Sequence, residues 1–415
     1  MAGPVNRAVD VLVVGAGPAG LAAAARIAAS TAPGAAGRYR VEVLEREPEA
    51  GGVPRHCAHG GFGPMGAGRR TDGPVYARRM ARAAVVAGAT VRTGVSVTGW
   101  AGPLTMEVTA PTGLERIAAR AVILATGARE RPRGARLVPG TRPAGVLTTG
   151  ELQRLARQYG GGRLGRRAVV VGAEPVAHHA VRELRRGGAD VVAMVTGQPR
   201  VAGRFTTGAP PPPLLTGAVV TELLGRRTLT GVRLLRPGGR IVTLACDTVV
   251  FTGDWIPDHE LARAGAVPLN TGTRGPAVDA CFRTGSAGVF AAGNALRGIE
   301  SAGAAAEEGR GAADAVLRYL SGDAWPLSAV PVVVEDPVGW VAPNRITGAE
   351  TGLPFLLRVR KPRVRPVVEI AQGDRVLHRV GLRGTAWPHR SVRLPAGWAR
   401  EVDPTGGPVT VRVVP

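Results

Sequence analysis

The stretch Val11-Leu12-Val13-Val14-Gly15-Ala16-Gly17-Pro18-Ala19-Gly20-Leu21-Ala22 constrains the fold more than any other part of this 415-residue chain. Residues 9–14 form a continuous apolar run, as in a strand buried on both faces of a parallel sheet. Residues 19–29 are alanine-rich and predict a helix, and residues 40–45 predict a second strand. The three glycines between strand and helix have separate duties. Gly15 permits the tight turn, Gly17 lets a diphosphate approach the backbone, and Gly20 lets the helix pack closely on the strand. The helix start, with Pro18 and Ala19 in its first turn, offers free N–H groups and a partial positive charge to an anion. Glu45 closes the second strand, followed by Arg46. A carboxylate there accepts ribose hydroxyls and disfavours a 2′-phosphate, so the predicted ligand is FAD or NAD rather than NADP.

The rest of the chain reads as further α/β units and a β-rich tail. A glycine-rich segment spans 51–73, a length that marks a functional or mobile loop. A helix is expected over 74–88, a strand over 90–97, a hairpin over 104–110 and 114–119, and a buried strand over 121–125 stopped by Thr126-Gly127. A second strand–turn–helix begins at 167–171, passes Gly172, and ends near 187–188, with a strand at 190–195 after it. Pro210 to Pro213 are a stiff extended connector, and short strands fill 219–252. A third glycine turn at 288–293 precedes a helix over 300–320. Beyond Trp325, Pro, Val and Arg recur in short strands with a hairpin turn at Gly373-Asp374. The fold class is therefore α/β: a Rossmann-like dinucleotide domain in two parts (1–150 and 266–324), an inserted second dinucleotide-fold domain (151–265), and a small C-terminal β-rich domain (325–415). Trp340, Trp387 and Trp398 are expected to anchor the core of the last.

Composition excludes some functions. The formal charge is +22, and Lys361 is the only lysine among 53 basic residues. Arginine is spread along the whole chain, which reads as a solvated basic surface or as steering of an anionic substrate. No arginine-rich helix interleaved with stacking aromatics points to nucleic acid. Cys57, Cys246 and Cys281 include no close pair, so neither a disulfide framework nor a metal site is expected, and lone thiols fit a cytoplasmic protein. The apolar run 11–25 is too short to span a bilayer and contains Gly-Pro.

Two distant segments discriminate between FAD and NAD. Residues Ala121-Val-Ile-Leu-Ala-Thr126-Gly127 are a strand ending in ATG, and Gly288-Val-Phe-Ala-Ala-Gly293-Asn294 is a strand ending in a small-residue turn. With the opening turn, their order resembles the two-dinucleotide-domain flavoproteins of the pyridine nucleotide–disulfide oxidoreductase superfamily, over roughly residues 8–320. The resemblance implies FAD held by Gly15, Gly17, Pro18, Ala19, Gly20, Glu45, Arg46, Thr126, Gly127, Gly293 and Asn294, with a backbone contact to adenine near Val97. Asn294 stands where that family usually has Asp beside the ribityl chain, and the helix from about residue 300 would direct its N-terminus at the flavin ring.

Departures from the family shape the expected function. In Val169-Val-Val-Gly172-Ala-Glu174-Pro-Val-Ala177, Glu174 replaces the glycine that should approach the second diphosphate. Use of NAD(P) is open between a working site and a vestigial domain. The redox disulfide is missing. The segment Gly51-Gly52-Val-Pro-Arg55-His56-Cys57-Ala-His59 offers candidate catalytic groups: a thiol beside two imidazoles could have a depressed pKa, and His56 or His59 could take a proton during hydride transfer. The alternative is that His56, Cys57 and His59 only wall the ring. The ATG-ARERPR stretch and this loop look most like flavin subunits of sarcosine, opine and glycine dehydrogenase or oxidase systems. That implies oxidation of a small amine or amino acid, with a redox partner protein or homo-oligomer as companions. The alternatives are an NAD(P)H-dependent reductase and a non-catalytic flavoprotein subunit.

Overall fold

The computed structural model describes residues 5–31, 38–63, 71–158, 164–201, 210–348 and 353–414. Parts of the stretch 30–39, between the first expected helix and the second strand, and of the glycine-rich segment 51–73 lie outside the described residues. The chain forms two compact units. The first comprises residues 1–55, 60–129 and 257–415, and the second comprises 56–59 and 130–256.

In the first unit the opening strand Val5–Val14 lies between Val41–Glu45 and Gly113–Leu124, parallel to both. Thr90–Thr93 continues the sheet beyond Val41–Glu45, while Thr105–Ala110 and Ser96–Gly102 extend it on the other side. The late strand Val289–Ala291 joins in parallel, with Val289 opposite Val122 and Ala291 opposite Leu124. Val11, Leu12 and Val13 have no solvent exposure. Burying each such side chain stabilises by about 1.5–3 kcal/mol, which fixes the strand and hence the turn at its end.

Two expectations change here. Residues 114–119 and 121–125 are one strand, Gly113–Leu124, whose outer part alternates in burial and whose last stretch, from Ala121, is wholly buried. The switch from one covered face to two makes a single strand read as two. Conversely, the strand expected over 90–97 is two strands, Thr90–Thr93 and Ser96–Gly102, separated by Gly94 at φ 66°.

Helices Pro18–Ala28 and Ala302–Leu320 pack on this sheet, and Gly73–Val86 packs beside the first. The C-terminal strands have a core of their own, centred on Phe355 and Trp398 with ring centroids 4.6 Å apart. Val409–Val414 is central in their five-stranded sheet, between Val330–Val334 and Val367–Gln372. Trp398 anchors that core as expected. Trp340 instead lies beneath Arg297 and Arg358, and Trp387 stacks on His389, because both face polar neighbours rather than the aliphatic centre.

The second unit is a parallel sheet in the order Val146–Thr148, Thr248–Phe251, Arg167–Val171, Asp190–Thr196 and Leu214–Thr216. Helices Thr149–Gln158 and Pro175–Arg186 and a three-stranded antiparallel sheet complete it. No helix among the described residues is long and apolar enough to cross a membrane.

Candidate dinucleotide site

The glycines of the opening turn are required for different steric reasons. Gly15 sits at φ 105°, and a Cβ there would lie 2.9 Å from the carbonyl carbon of Ala125. A Cβ on Gly20 would lie 3.1 Å from Val13 Cγ1 and closer to the Gly15 backbone. Gly17 is the opposite case: nothing among the described residues lies within 4 Å of where its Cβ would point. That open face is the room a diphosphate needs. Gly17 is also the N-cap of helix Pro18–Ala28 and supplies no side-chain acceptor, so the first N–H groups of the helix remain for a ligand.

Glu45 is oriented rather than merely nearby. Its Oε2 accepts from Ala16 N–H at 2.9 Å and its Oε1 from Glu47 N–H at 3.0 Å. Each oxygen retains a second lone pair for a ribose hydroxyl. Gly51 N–H donates to Ala16 carbonyl oxygen at 2.7 Å, and a Cβ on Gly52 would stand 2.9 Å from Gly17 Cα. The paired glycines therefore run against the turn itself.

The late turn meets the opening one at Ala19. A Cβ on Gly293 would lie 2.6 Å from Ala19 Cβ, and one on Gly309 would lie 2.8 Å from the Ala19 carbonyl carbon. The structure thus brings Gly15, Gly17, Pro18, Ala19, Gly20, Glu45 and Gly293 together. Thr126 Oγ1–H donates to Asp258 carbonyl oxygen at 2.6 Å, and the Gly127 carbonyl oxygen accepts from Asp258 N–H at 2.9 Å. Arg46 reaches the Asp258 carboxylate at 3.3 Å. Asp258 is a neighbour of the site that sequence reasoning misses. Burial, then Glu260, pushes its carboxyl above the usual range, and no local motif marks it.

The backbone that reaches the end of the Glu45 strand is Gly94–Val95, with Val95 N–H on Glu45 carbonyl oxygen at 2.9 Å and Gly94 N–H on Glu47 carbonyl oxygen at 2.9 Å. Val97 lies two residues on, in the edge strand opposite Val108. Asn294 turns its amide onto the main chain of Glu300: Oδ1 accepts from Glu300 N–H at 2.8 Å, and Nδ2 faces its carbonyl oxygen at 3.4 Å. The following helix starts at Ala302, capped by Ser301.

His56, Cys57 and His59 belong to the second unit, although the chain on either side of them belongs to the first. The Cys57 thiol lies 3.7 Å from Gln153 Oε1, and burial pushes it up to about 12. The expected depressed thiol is thereby corrected in sign: burial outweighs any help from nearby imidazoles. His59 stacks on His179 with centroids 3.6 Å apart. Burial, with His59 and Arg182 adding, holds His179 down at about 3.

The second glycine turn is filled from within. Glu174 is the N-cap of helix Pro175–Arg186, and its Oε2 accepts from Ala173 N–H at 3.0 Å. Its carboxylate lies 2.8 Å from where a Gly172 Cβ would stand and 3.1 Å from that of Gly253. Its Oε1 is buried with no hydrogen-bond partner among the described residues. Arg136 donates to the Gly253 carbonyl oxygen at 2.7 Å.

A strand, glycine turn and helix with a fixed ribose-side carboxylate, joined to a late glycine turn, define a dinucleotide-fold oxidoreductase. Residues 9–309 match the family described as pyridine nucleotide-disulphide oxidoreductase, and the chain belongs to that family. It is an FAD-dependent oxidoreductase of this class. It is similar to an opine oxidase subunit of Agrobacterium tumefaciens, 30% identical over 347 residues, 75% of this chain and 66% of the relative. The alpha subunit of sarcosine oxidase from Rhizobium meliloti is 28% identical over 240 residues, 55% of this chain. The chain spans 22% of that relative's length. In fold it is similar to T. acidophilum thioredoxin reductase (TM-score 0.61, 23% identity, 75% of this chain and 99% of that one). It is also similar to L-proline dehydrogenase from P. horikoshii (TM-score 0.58, 19% identity, 79% and 58%).

Proposed function

We propose that the chain oxidises a small amine or amino acid and passes the electrons to a partner protein. FAD, when bound, would supply the hydride acceptor for the donor carbon. The Gly15–Gly20 turn and the helix start would hold the diphosphate, Glu45 the ribose, and Thr126, Gly127, Gly293 and Asn294 the ring side. His56, Cys57 and His59 are assigned to packing: a thiol kept protonated at neutral pH is a poor nucleophile, and hydride transfer needs none.

The observation that carries the direction of electron flow is Glu174. A carboxylate folded over the second turn takes the place where a nicotinamide dinucleotide would put its diphosphate and repels that charge. Disulfide reduction is disfavoured too, since Cys57, Cys246 and Cys281 are all buried and no disulfide joins any two of them. The resemblance to opine and sarcosine oxidase subunits supports an amine or amino-acid donor, and their being subunits supports a protein acceptor.

The test is anaerobic bleaching of the flavin band by a panel of N-substituted amino acids, secondary amines and free amino acids, beside NADH and NADPH. Bleaching by a member of the panel, with the nicotinamides inert, is expected. Rapid bleaching by NADH or NADPH alone would replace this reading with a reductase. A flavin inert to both, in a protein that co-purifies with a stable partner, would point to a non-catalytic subunit.

A further inference from the structure

The C-terminal β-rich part sends one arginine back to the loop that follows Gly293. Arg358, on strand Phe355–Val359, has a side chain only 11% exposed. Its Nη1–H donates to Gly298 carbonyl oxygen at 2.9 Å. Its Nη2–H groups reach Ile299 carbonyl oxygen at 2.9 Å, Glu300 Oε1 at 2.8 Å and Ser391 Oγ at 3.0 Å. Ser391 also bonds Glu300 Oε1. The Arg358 guanidinium carbon lies 5.0 Å from the Trp340 ring, and that of Arg297 lies 5.6 Å from the same ring.

Two short chains of contact run from there to the glycine turn. In one, the main chain of Glu300 clasps both ends of the Asn294 amide. In the other, Arg297, 3% exposed, pairs with Glu308, whose second oxygen accepts from Gly293 N–H at 3.0 Å. Apart from the short 3-10 turn Gly293–Ala295 and an isolated bridge between Arg297 and Arg274, residues 293–301 have no helix or strand to hold them. These side chains add to that sparse backbone support.

We infer that Arg358 is a positioning residue for the flavin: from the C-terminal β-rich part it pins residues 298–300, and through Glu300 and Arg297 it sets Asn294 and the Gly293 turn. The inference rests on the assignment of Gly293 and Asn294 to FAD. A planar fork suits the task, because it can serve several acceptors at once, whereas a lysine ammonium is a point charge on a flexible stem. Loss of charge-assisted bonds to this many acceptors is an effect of about tenfold or more on ligand retention.

The experiment compares wild type with Arg358→Met, Arg358→Lys and, as a control in the same β-rich part, Arg379→Met. Arg379 pairs with Glu369 on the neighbouring strand, at 3.0 Å from Nε. FAD dissociation constants, the position of the flavin band and urea unfolding midpoints of the apoproteins are measured. About tenfold weaker FAD binding and a shifted band in Arg358→Met, partial recovery in Arg358→Lys and wild-type FAD binding in Arg379→Met are expected. If Arg358→Met does not fold, the intermediate FAD affinity of Arg358→Lys is the expected result. Wild-type affinity and band in the Arg358 variants would overturn the inference, and so would an equal loss in Arg379→Met. A wild-type chain that binds no flavin would instead overturn the flavin assignment beneath it.

Discussion

Gly309→Ala tests the seam where the late helix meets the opening one. In a helix interior this change normally stabilises by about 1 kcal/mol, because alanine is the better helix former. Here the new methyl would stand 2.8 and 2.9 Å from the carbonyl carbon and Cα of Ala19, and closer still to its oxygen. Carbon atoms settle at about 3.5–4.0 Å, so the two helices must part by at least roughly 0.7 Å or tilt. The obstructing atoms are backbone, and no change of rotamer relieves them. Overpacking costs about 1–3 kcal/mol, and a backbone-on-backbone clash belongs at or beyond the top of that range. Subtracting the propensity gain leaves a net loss of about 2 kcal/mol. Gly303→Ala in the same helix is the control. Its Cβ would meet nothing closer than 3.9 Å, and a gain of about 0.4–1 kcal/mol is expected. Urea unfolding of the apo proteins measures both, and FAD affinity should fall in Gly309→Ala. A Gly309→Ala protein as stable as wild type would refute the register of the two helices, and with it the meeting of the two glycine turns.

Three further outcomes follow from the second unit. Glu174→Gly empties its glycine turn, and NADH affinity measured by calorimetry should rise about tenfold or more; unchanged affinity would show that the carboxylate is not what closes the site. Cys57, held near 12 by burial, should resist iodoacetamide at neutral pH in the folded protein and react once unfolded; fast native labelling would contradict its burial. His179 titrates at about 3 when folded against 6.5 for the free side chain. The unfolded chain therefore binds the extra proton between those values, and the stabilisation present above pH 6.5 is lost as pH falls toward 3. His179→Gln should flatten the decline in urea midpoint between about pH 7 and pH 5, and an unaltered slope would count against it.

What is legible in the sequence is local. The turn at residues 15–20 can be read because three glycines between a buried strand and an alanine-rich helix answer to backbone sterics within a dozen residues. Glu45 can be read because the strand length places it. Gly309 cannot: a glycine within an alanine-rich helix looks incidental until Ala19 is known to press on it. Asp258 and Arg358 act on residues far away in sequence, and nothing in their neighbours announces the contact. The segment His56–Cys57–Ala58–His59 misleads for a related reason. Proximity in sequence suggests that a loop between two stretches of one unit stays with that unit, and that a thiol next to imidazoles feels their charge. In the fold the segment groups with second-unit residues, and burial governs the thiol.

The position of strand Val409–Val414 imposes an order on assembly. Its partners Val330–Val334 and Val367–Gln372 have no direct pairing with each other, so during synthesis they must wait for residue 414 to emerge before their sheet can knit. The turn at residues 15–20 is made hundreds of residues sooner. A nascent chain could thus meet its cofactor with one jaw formed, while the brace behind the other jaw arrives only with the closing strand.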